Sequence, residues 1–174
     1  RGYVVGLSGG IDSACTAALC KRAVAGNVLG AILPCHSSPE DAQMAHLVAK
    51  SFDIETVTVD LGPAFDSLVA ALPSDQSPLA VANIKPRLRM AALYSLAQTR
   101  QYLVAGTGNR SELIVGYFTK YGDGGVDVEP LGNLYKWQVR ELARELGVPQ
   151  AIIDRPPSAG LWPGQTDEDE LGIS

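Results

Sequence analysis

Residues 3–13 read YVVGLSGGIDS, an apolar run that breaks into a serine and glycine turn and resumes as a helix, and this stretch most narrows the possible folds. Val4, Val5 and Leu7 have the character of a buried strand, while Ala14, Cys15, Ala17, Ala18 and Leu19 offer a small-residue helix wall that can pack closely on a sheet. Between them, Ser8, Gly9 and Gly10 bring backbone N–H groups to a helix N-terminus. Glycine admits positive φ and lets an anion approach without meeting a Cβ, and the helix dipole favours negative charge there. The ligand expected at this loop is a phosphate or pyrophosphate. The spacing excludes a Walker A loop, which needs Gly-Lys followed by Ser or Thr, and a G-x-G-x-x-G fingerprint. Asp12 adds a carboxylate beside the expected anion, a repulsive arrangement unless Mg²⁺ bridges the two. Mg²⁺ is typically held by one or two carboxylates plus phosphate oxygens, so Asp12 is the first candidate metal ligand. The plainer alternative makes Ser8 a cap and Asp12 a first-turn acid that complements the dipole.

Strands and helices alternate along the rest of the chain. Residues 27–33 (NVLGAIL) read as a second strand, 39–51 as a helix with Ala42, Ala45 and Ala49 on one side, and 54–59 (IETVTV) as a third strand. A Pro/Ser/Asp cluster at 73–78 predicts a mobile loop, after which Pro86 opens a helix carrying Leu88, Ala92 and Leu96. Residues 102–105 (YLVA) predict a further strand. A strongly amphipathic helix spans 135–146, with Tyr135, Val139, Leu142, Ala143 and Leu146 on one stripe, closed by Gly147 and Pro149. This succession predicts an α/β fold: a Rossmann-like doubly wound parallel sheet with helices on both faces, in a single domain. Ligands of such sheets collect beyond the C-terminal strand ends at a topological switch point.

Composition removes several function classes. With 174 residues the chain can bury roughly 70% of the surface it would expose unfolded, without metal or disulfide support. Fourteen basic against nineteen acidic residues, a formal charge of −5, leave no basic block to track a nucleic-acid backbone, so no nucleic acid is expected as a partner. No apolar run approaches the ~20 residues of a bilayer span, so no membrane partner is expected either. Cys15, Cys20 and Cys35 form no C-x-x-C pair, and an odd count suits a reducing, cytoplasmic setting.

A second cluster, Gly106, Thr107, Gly108, Asn109, Arg110, Ser111 and Glu112, repeats the order of strand, glycine turn, capping residue and acid. If the two rims converge, Glu112 joins Asp12 at the metal and Thr107 reaches the nucleotide. Turn chemistry alone is satisfied by a glycine turn capped by Asn109 or Ser111.

Ser8-Gly9-Gly10-Ile11-Asp12-Ser13 resembles the S-G-G-x-D-S loop of the ATP pyrophosphatases, or PP-loop enzymes, which cleave ATP between its α and β phosphates. The segments GTGNRSEL (106–113), GYFTKYGDGGVD (116–127), NIKPRLRM (83–90) and PPSAGLWPGQTDEDELG (156–172) resemble the signature segments of NAD synthetase. That family joins ammonia to the nicotinate carboxylate of deamido-NAD using ATP, and is typically a homodimer. The resemblance implies an acyl-adenylate, release of pyrophosphate and AMP, and no covalent nucleophile among the side chains. It implies ATP contacts from Gly6, Leu7, Ser8, Gly9, Gly10, Ile11, Asp12, Ser13, Thr107, Lys136 and Ser158, and Mg²⁺ on Asp12 and Glu112. It implies deamido-NAD contacts from Arg87, Lys120 and Asp127. Arg87 can fork onto a phosphate or carboxylate and Lys120 can neutralise one as a point charge. Taken alone, Lys136 reads as a solvated charge on a helix flank, Asp123 as a turn residue, and residues 167–170 as helix-capping acids. Arg89 ranks below Arg87, and Cys35 and His36 receive no role.

The family normally has a helical segment before the first strand and another segment beyond Gly172. Residues 1–174 are therefore expected to form one NAD synthetase domain lacking N- and C-terminal segments, and to use free ammonia. The rivals are another PP-loop amidating or thiolating enzyme, which would share the Ser8 loop but not residues 116–127, and a non-catalytic adenine-nucleotide-binding module.

Overall fold

In the computed structural model, which describes residues 1–24 and 26–156, strand β1 (Tyr3–Gly6) lies inside a four-stranded parallel sheet. Helix α1 (Ile11–Val24) leads to β2 (Val28–Ile32), α2 (Pro39–Ser51) and β3 (Glu55–Thr58). Helices α3 (Gly62–Ala71), α4 (Pro78–Ala82) and α5 (Ile84–Arg100) carry the chain back to β4 (Leu103–Ala105). Then come α6 (Arg110–Val115), α7 (Lys136–Leu146) and α8 (Gln150–Ile153).

The strand order β3-β2-β1-β4 means that the chain winds outward from β1 through β2 to β3, then returns across the sheet to start again at β4. The winding direction reverses between β1 and β4, which makes the gap beyond their C-terminal ends the switch point. Val4 pairs with Leu29 and Val104, and Val5 with Gly30 and Ala105, so the register sets adjacent strand ends level.

Successive strand residues face opposite sides, and both sides are covered. Val5, Val28, Ile32 and Ala105 meet Ala14, Ala17, Ala18, Val48, Val139 and Ile152 on one face. Val4, Leu29, Ala31 and Val104 meet Ala97, with Phe65, Leu88, Ala92 and Leu93 packed against them, on the other. The expected doubly wound α/β architecture is the observed one.

Three local readings need correction. The 73–78 segment was expected to be a loop throughout, but Ser77 caps α4 by accepting from the Ala80 N–H at 3.2 Å, and Pro78 opens that helix. The following helix begins at Ile84 rather than Pro86. Pro86 sits in the first turn, where an N–H has no intrahelical partner to lose, so the ring is tolerated. Tyr135 stands at the cap position, 38% exposed, instead of on the buried stripe of α7. Its N–H is taken by Gln138 Oε1 at 2.9 Å.

Candidate functional site

The loop after β1 is a tight pocket of its own making. Gly9 has φ +80°, and a Cβ there would lie 2.7 Å from the Asp41 carbonyl oxygen and 2.7 Å from Met44 Cβ, so the backbone rests directly on α2. Gly10 N donates to Ser8 Oγ at 3.2 Å, Ser8 N donates to Ser13 Oγ at 3.3 Å, and Ser13 Oγ donates to the Gly10 carbonyl at 2.9 Å. Two loop N–H groups expected to be exposed are therefore occupied by the loop's own hydroxyls, through long bonds that a rotating hydroxyl can release. Gly6 and Leu7 lead into this turn from β1, and Ile11 and Asp12 begin the helix behind it. Thr16, fully buried on α1, donates to the Gly106 carbonyl at 3.4 Å and so ties the first loop's helix to the second loop.

The second loop is organised by Asn109. Its side-chain oxygen accepts from the Glu112 N–H at 3.1 Å, and its own N–H donates to Glu112 Oε2 at 3.0 Å, a reciprocal capping box. Its amide nitrogen donates across to Asp12 Oδ1 at 3.0 Å. One fully buried residue thus bonds both carboxylates proposed for metal binding, Asp12 through its side-chain amide and Glu112 through its backbone N–H. The turn reading of Asn109 was right as far as the cap, but the bond to Asp12 joins positions 97 residues apart in sequence, and no local pattern signals it.

Lys136, the first residue of α7, completes the cluster. Its Nζ lies 2.5 Å from Asp12 Oδ2 and 3.7 Å from Glu112 Oε1, and its side chain is only 23% exposed. Its N–H donates to Ser111 Oγ at 3.1 Å, and Arg110 N donates to the Leu134 carbonyl at 2.8 Å, so α6 locks the start of α7 in place. The solvated-charge reading of Lys136 is overturned: the ammonium stands between two carboxylates. Thr107 is half-buried at the same rim.

Arg87 and Lys120 are brought together, with Arg87 Nε donating to the Lys120 carbonyl at 3.3 Å while the Lys120 ammonium lies 5.1 Å over the Tyr121 ring. Asp127 lines a groove of about 300 Å³ with Leu113, Phe118, Val126 and Glu129. Its carboxylate already accepts from Val104 N at 2.8 Å and from Tyr94 Oη at 3.1 Å, so it also satisfies the outer edge of β4. Burial, and then the charge of Asp123, hold the Glu129 carboxyl above the usual range. Asp123 accepts from Thr119 N at 2.9 Å, as a turn residue should. Arg89 turns inward onto the Leu33 carbonyl at 3.1 Å and Ser37 Oγ at 3.3 Å. His36 pairs with Asp66 at 2.7 Å beside a groove of about 470 Å³ beyond β2. Ser158, residues 167–170 and nearly all of the 156–172 segment lie outside the described residues.

Arg155, which no local sequence pattern singles out, donates to the Gly9 carbonyl at 3.2 Å and to Asp41 Oδ1 at 2.9 Å. The thiols offer no nucleophile at neutral pH: burial, and for Cys15 also the Asp12 charge, push Cys15 and Cys20 up to about 12. Among the described residues no group of three or more His, Cys, Asp or Glu gathers in a metal-holding arrangement, and no helix is long and apolar enough to cross a membrane. The cluster can neutralise and orient a phosphate chain, and two hard carboxylates facing one cation suit Mg²⁺ when phosphate oxygens complete the set.

A protein-family model described as NAD synthase matches residues 1–174. The NH(3)-dependent NAD(+) synthetase of Carboxydothermus hydrogenoformans is 53% identical over 177 residues, covering 99% of this chain and 73% of that protein. The protein of the same name from Finegoldia magna is 51% identical over 174 residues, covering 100% and 72%. Among solved structures, an NMN synthetase from Francisella tularensis superposes with a TM-score of 0.95 at 44% identity, covering 99% of this chain and 73% of that one. An NH3-dependent NAD synthetase from Campylobacter jejuni, in complex with nitrate, superposes with a TM-score of 0.83 at 35% identity, covering 87% and 66%.

Proposed function

Because the chain belongs to the NAD synthase family, we propose that Asp12, Glu112 and Lys136, beside the Ser8 loop, form the centre at which ATP activates the nicotinate carboxylate of deamido-NAD. The protein is a ligase that forms a C–N bond, and its reaction is the ATP-driven, ammonia-dependent formation of NAD.

A carboxylate resists attack because its charge repels nucleophiles and its oxygen leaves poorly. In the proposed sequence a nicotinate carboxylate oxygen bonds to the α-phosphorus, the bond from that phosphorus to the bridging oxygen breaks, and pyrophosphate departs. Ammonia then attacks the acyl carbon, AMP leaves, and the nitrogen gives up a proton. The work left to the protein is positioning and charge neutralisation. The N–H groups of Ser8, Gly9 and Gly10, with the Ser13 hydroxyl, would hold the departing pyrophosphate at the N-terminus of α1. Lys136 would supply a point charge to the phosphates, and Thr107 a hydroxyl from the second rim. Ser158 is proposed as a further ATP contact. Arg87, Lys120 and Asp127 would hold deamido-NAD, the first two meeting its anionic groups and Asp127 accepting from ribose hydroxyls.

Asp12 and Glu112 would hold Mg²⁺, and the donor chemistry fits: both are hard oxygen ligands, and both already face a cation, the Lys136 ammonium. When bound, the ion would neutralise pyrophosphate charge. A homodimer is also proposed. Helix α3 buries only Gly62 while Leu68 is exposed, and Leu79 of α4 is 59% exposed, apolar side chains that a second copy would cover. A cytoplasmic setting accords with three free cysteines.

The observation that carries this reading is the convergence of side chains from α1, α6 and α7 at the switch point. The test is mass spectrometry of products formed from ATP, Mg²⁺, an ammonium salt and deamido-NAD. Equimolar NAD and AMP are expected; ADP as product would sink the mechanism. Because the Francisella tularensis structure is that of an NMN synthetase, nicotinate mononucleotide is added in a competing arm. Preferential amidation of the mononucleotide would reassign the acyl substrate and leave the ATP chemistry standing.

A further inference from the structure

Arg155 follows Asp154, the residue that caps α8, and lies 146 residues from the loop it touches; its guanidinium forks between two elements. Nη1 donates to the carbonyl of Gly9 at 3.2 Å, and Nη2 donates to Asp41 Oδ1 at 2.9 Å in the first turn of α2. The side chain is 26% exposed and Asp41 34%, so the pair sits partly out of water, where a forked charge-assisted contact holds its geometry better than a single ammonium would.

The consequence follows from peptide geometry. In a trans peptide the carbonyl and the following N–H point in opposite directions. Holding the Gly9 carbonyl outward, toward Arg155, therefore aims the Gly10 N–H the other way, toward the Ser8 hydroxyl, which in turn donates to Ser13 Oγ inside the loop. Gly9 at φ +80° has no Cβ to restrict its peptide, so the 9–10 peptide could otherwise rotate and present a carbonyl oxygen to an incoming phosphate. The Gly9 backbone also rests on the Asp41 carbonyl and Met44, which places the same first turn of α2 against the loop by packing and by the Arg155 fork.

We propose that Arg155 is a positioning residue for ATP: by clamping the Gly9 carbonyl to Asp41, it keeps the Gly10 N–H turned into the phosphate loop. The proposal rests on the reading of that loop as the pyrophosphate-binding element. Arg155 acts through the backbone, and Asp41 balances its charge.

The test uses inorganic pyrophosphate with Mg²⁺ as a direct probe, titrated calorimetrically into the intact protein and into Arg155→Met, which keeps most of the stem but loses the fork. Pyrophosphate binding is expected to weaken about tenfold, the scale of one charge-assisted hydrogen bond. KM for ATP should rise in parallel, with KM for deamido-NAD and for ammonia unchanged. Arg155→Lys should recover part of the affinity, since an ammonium can reach one acceptor but cannot fork. Asp41→Ala releases the clamp from its other end and should weaken pyrophosphate in the same direction, so the inference remains testable if Arg155→Met does not fold. Unchanged pyrophosphate affinity in a folded Arg155→Met protein overturns the proposal, as does an equal rise in all three KM values. Failure of the unaltered protein to bind pyrophosphate would instead remove the loop's assignment, and the clamp's purpose with it.

Discussion

The loops after β1 and β4 share one plan, a parallel strand, a glycine turn and a helix with an early acid, yet they are held in place by different forces. Behind the first stands α1, fourteen residues long, with eight side chains buried in the core. Behind the second stands α6, six residues long, with none buried. The first acid stands on a helix fixed by packing, with Asn109 and Lys136 bonding its carboxylate; the second stands on a helix that depends on the polar cage of Asn109, Ser111 and Lys136. A short helix at a sheet edge cannot gain enough apolar burial to fix a side chain, so capping and charge pairing must do so.

The largest effect is expected where the two loops meet. Asp12→Asn should lower kcat by about a hundredfold or more, as loss of a group opposing transition-state charge does, with little change in melting temperature. Full activity in the folded variant would remove Asp12 from the chemistry. Packing on the first side is probed by Gly9→Ala, expected to cost about 2 kcal/mol because the new Cβ meets backbone at positive φ. Gly108→Ala on the second side should cost less than about 1 kcal/mol, since the Cβ would approach the mobile end of Glu129 at 3.1 Å. Equal costs in denaturant titrations would erase the contrast.

The polar side is probed by Asn109→Ala, with an expected loss of about 1 kcal/mol from the cap. Asn109→Asp should restore much of that stability while setting a carboxylate against Asp12, so its turnover should stay low; recovery of both would show that the bond to Asp12 is incidental. Arg87→Ala should raise KM for deamido-NAD by roughly fivefold, the value of one ordinary hydrogen bond, with a smaller rise for ATP. An equal rise for both substrates would refute the assignment of Arg87.

The smallest effect near neutral pH concerns the thiols behind the first loop. Cys15 and Cys20 keep their protons to about 12, whereas the unfolded chain loses them near 9.0. Above pH 9 the folded state therefore binds more protons, and stability should fall as pH rises through that window. Denaturant midpoints compared at pH 7 and pH 10 read this directly. A slope unchanged by replacing both cysteines with alanine would mean that α1 is less buried than the packing indicates.

Much of the fold was legible because it is written in local periodicity. Val4, Val5 and residues 28–32 announce buried strands, and Val139, Ala143 and Leu146 announce the buried side of α7. Helix α3 was less legible: Phe65, Leu68 and Val69 keep the i, i+3, i+4 spacing of one stripe, but the cap position, Leu61, offers no side-chain hydrogen bond and the first turn no acid to mark its start. At the site, Asp12, Glu112 and Lys136 were named from their motifs, but Lys136 by itself looked like surface charge, because sequence spacing carries no information about desolvation.

The sequence by itself determined the strand and helix alternation, the glycine turns at two strand ends and the acids beside them, since each depends on neighbours within a few positions. Only the tertiary structure decided that α7 brings an ammonium between those acids, that Asn109 bonds both of them, and that Arg155 reaches back to Gly9. The strand order puts β1 beside β4, and hydrogen bonds between residues about a hundred positions apart exist only once that order has formed.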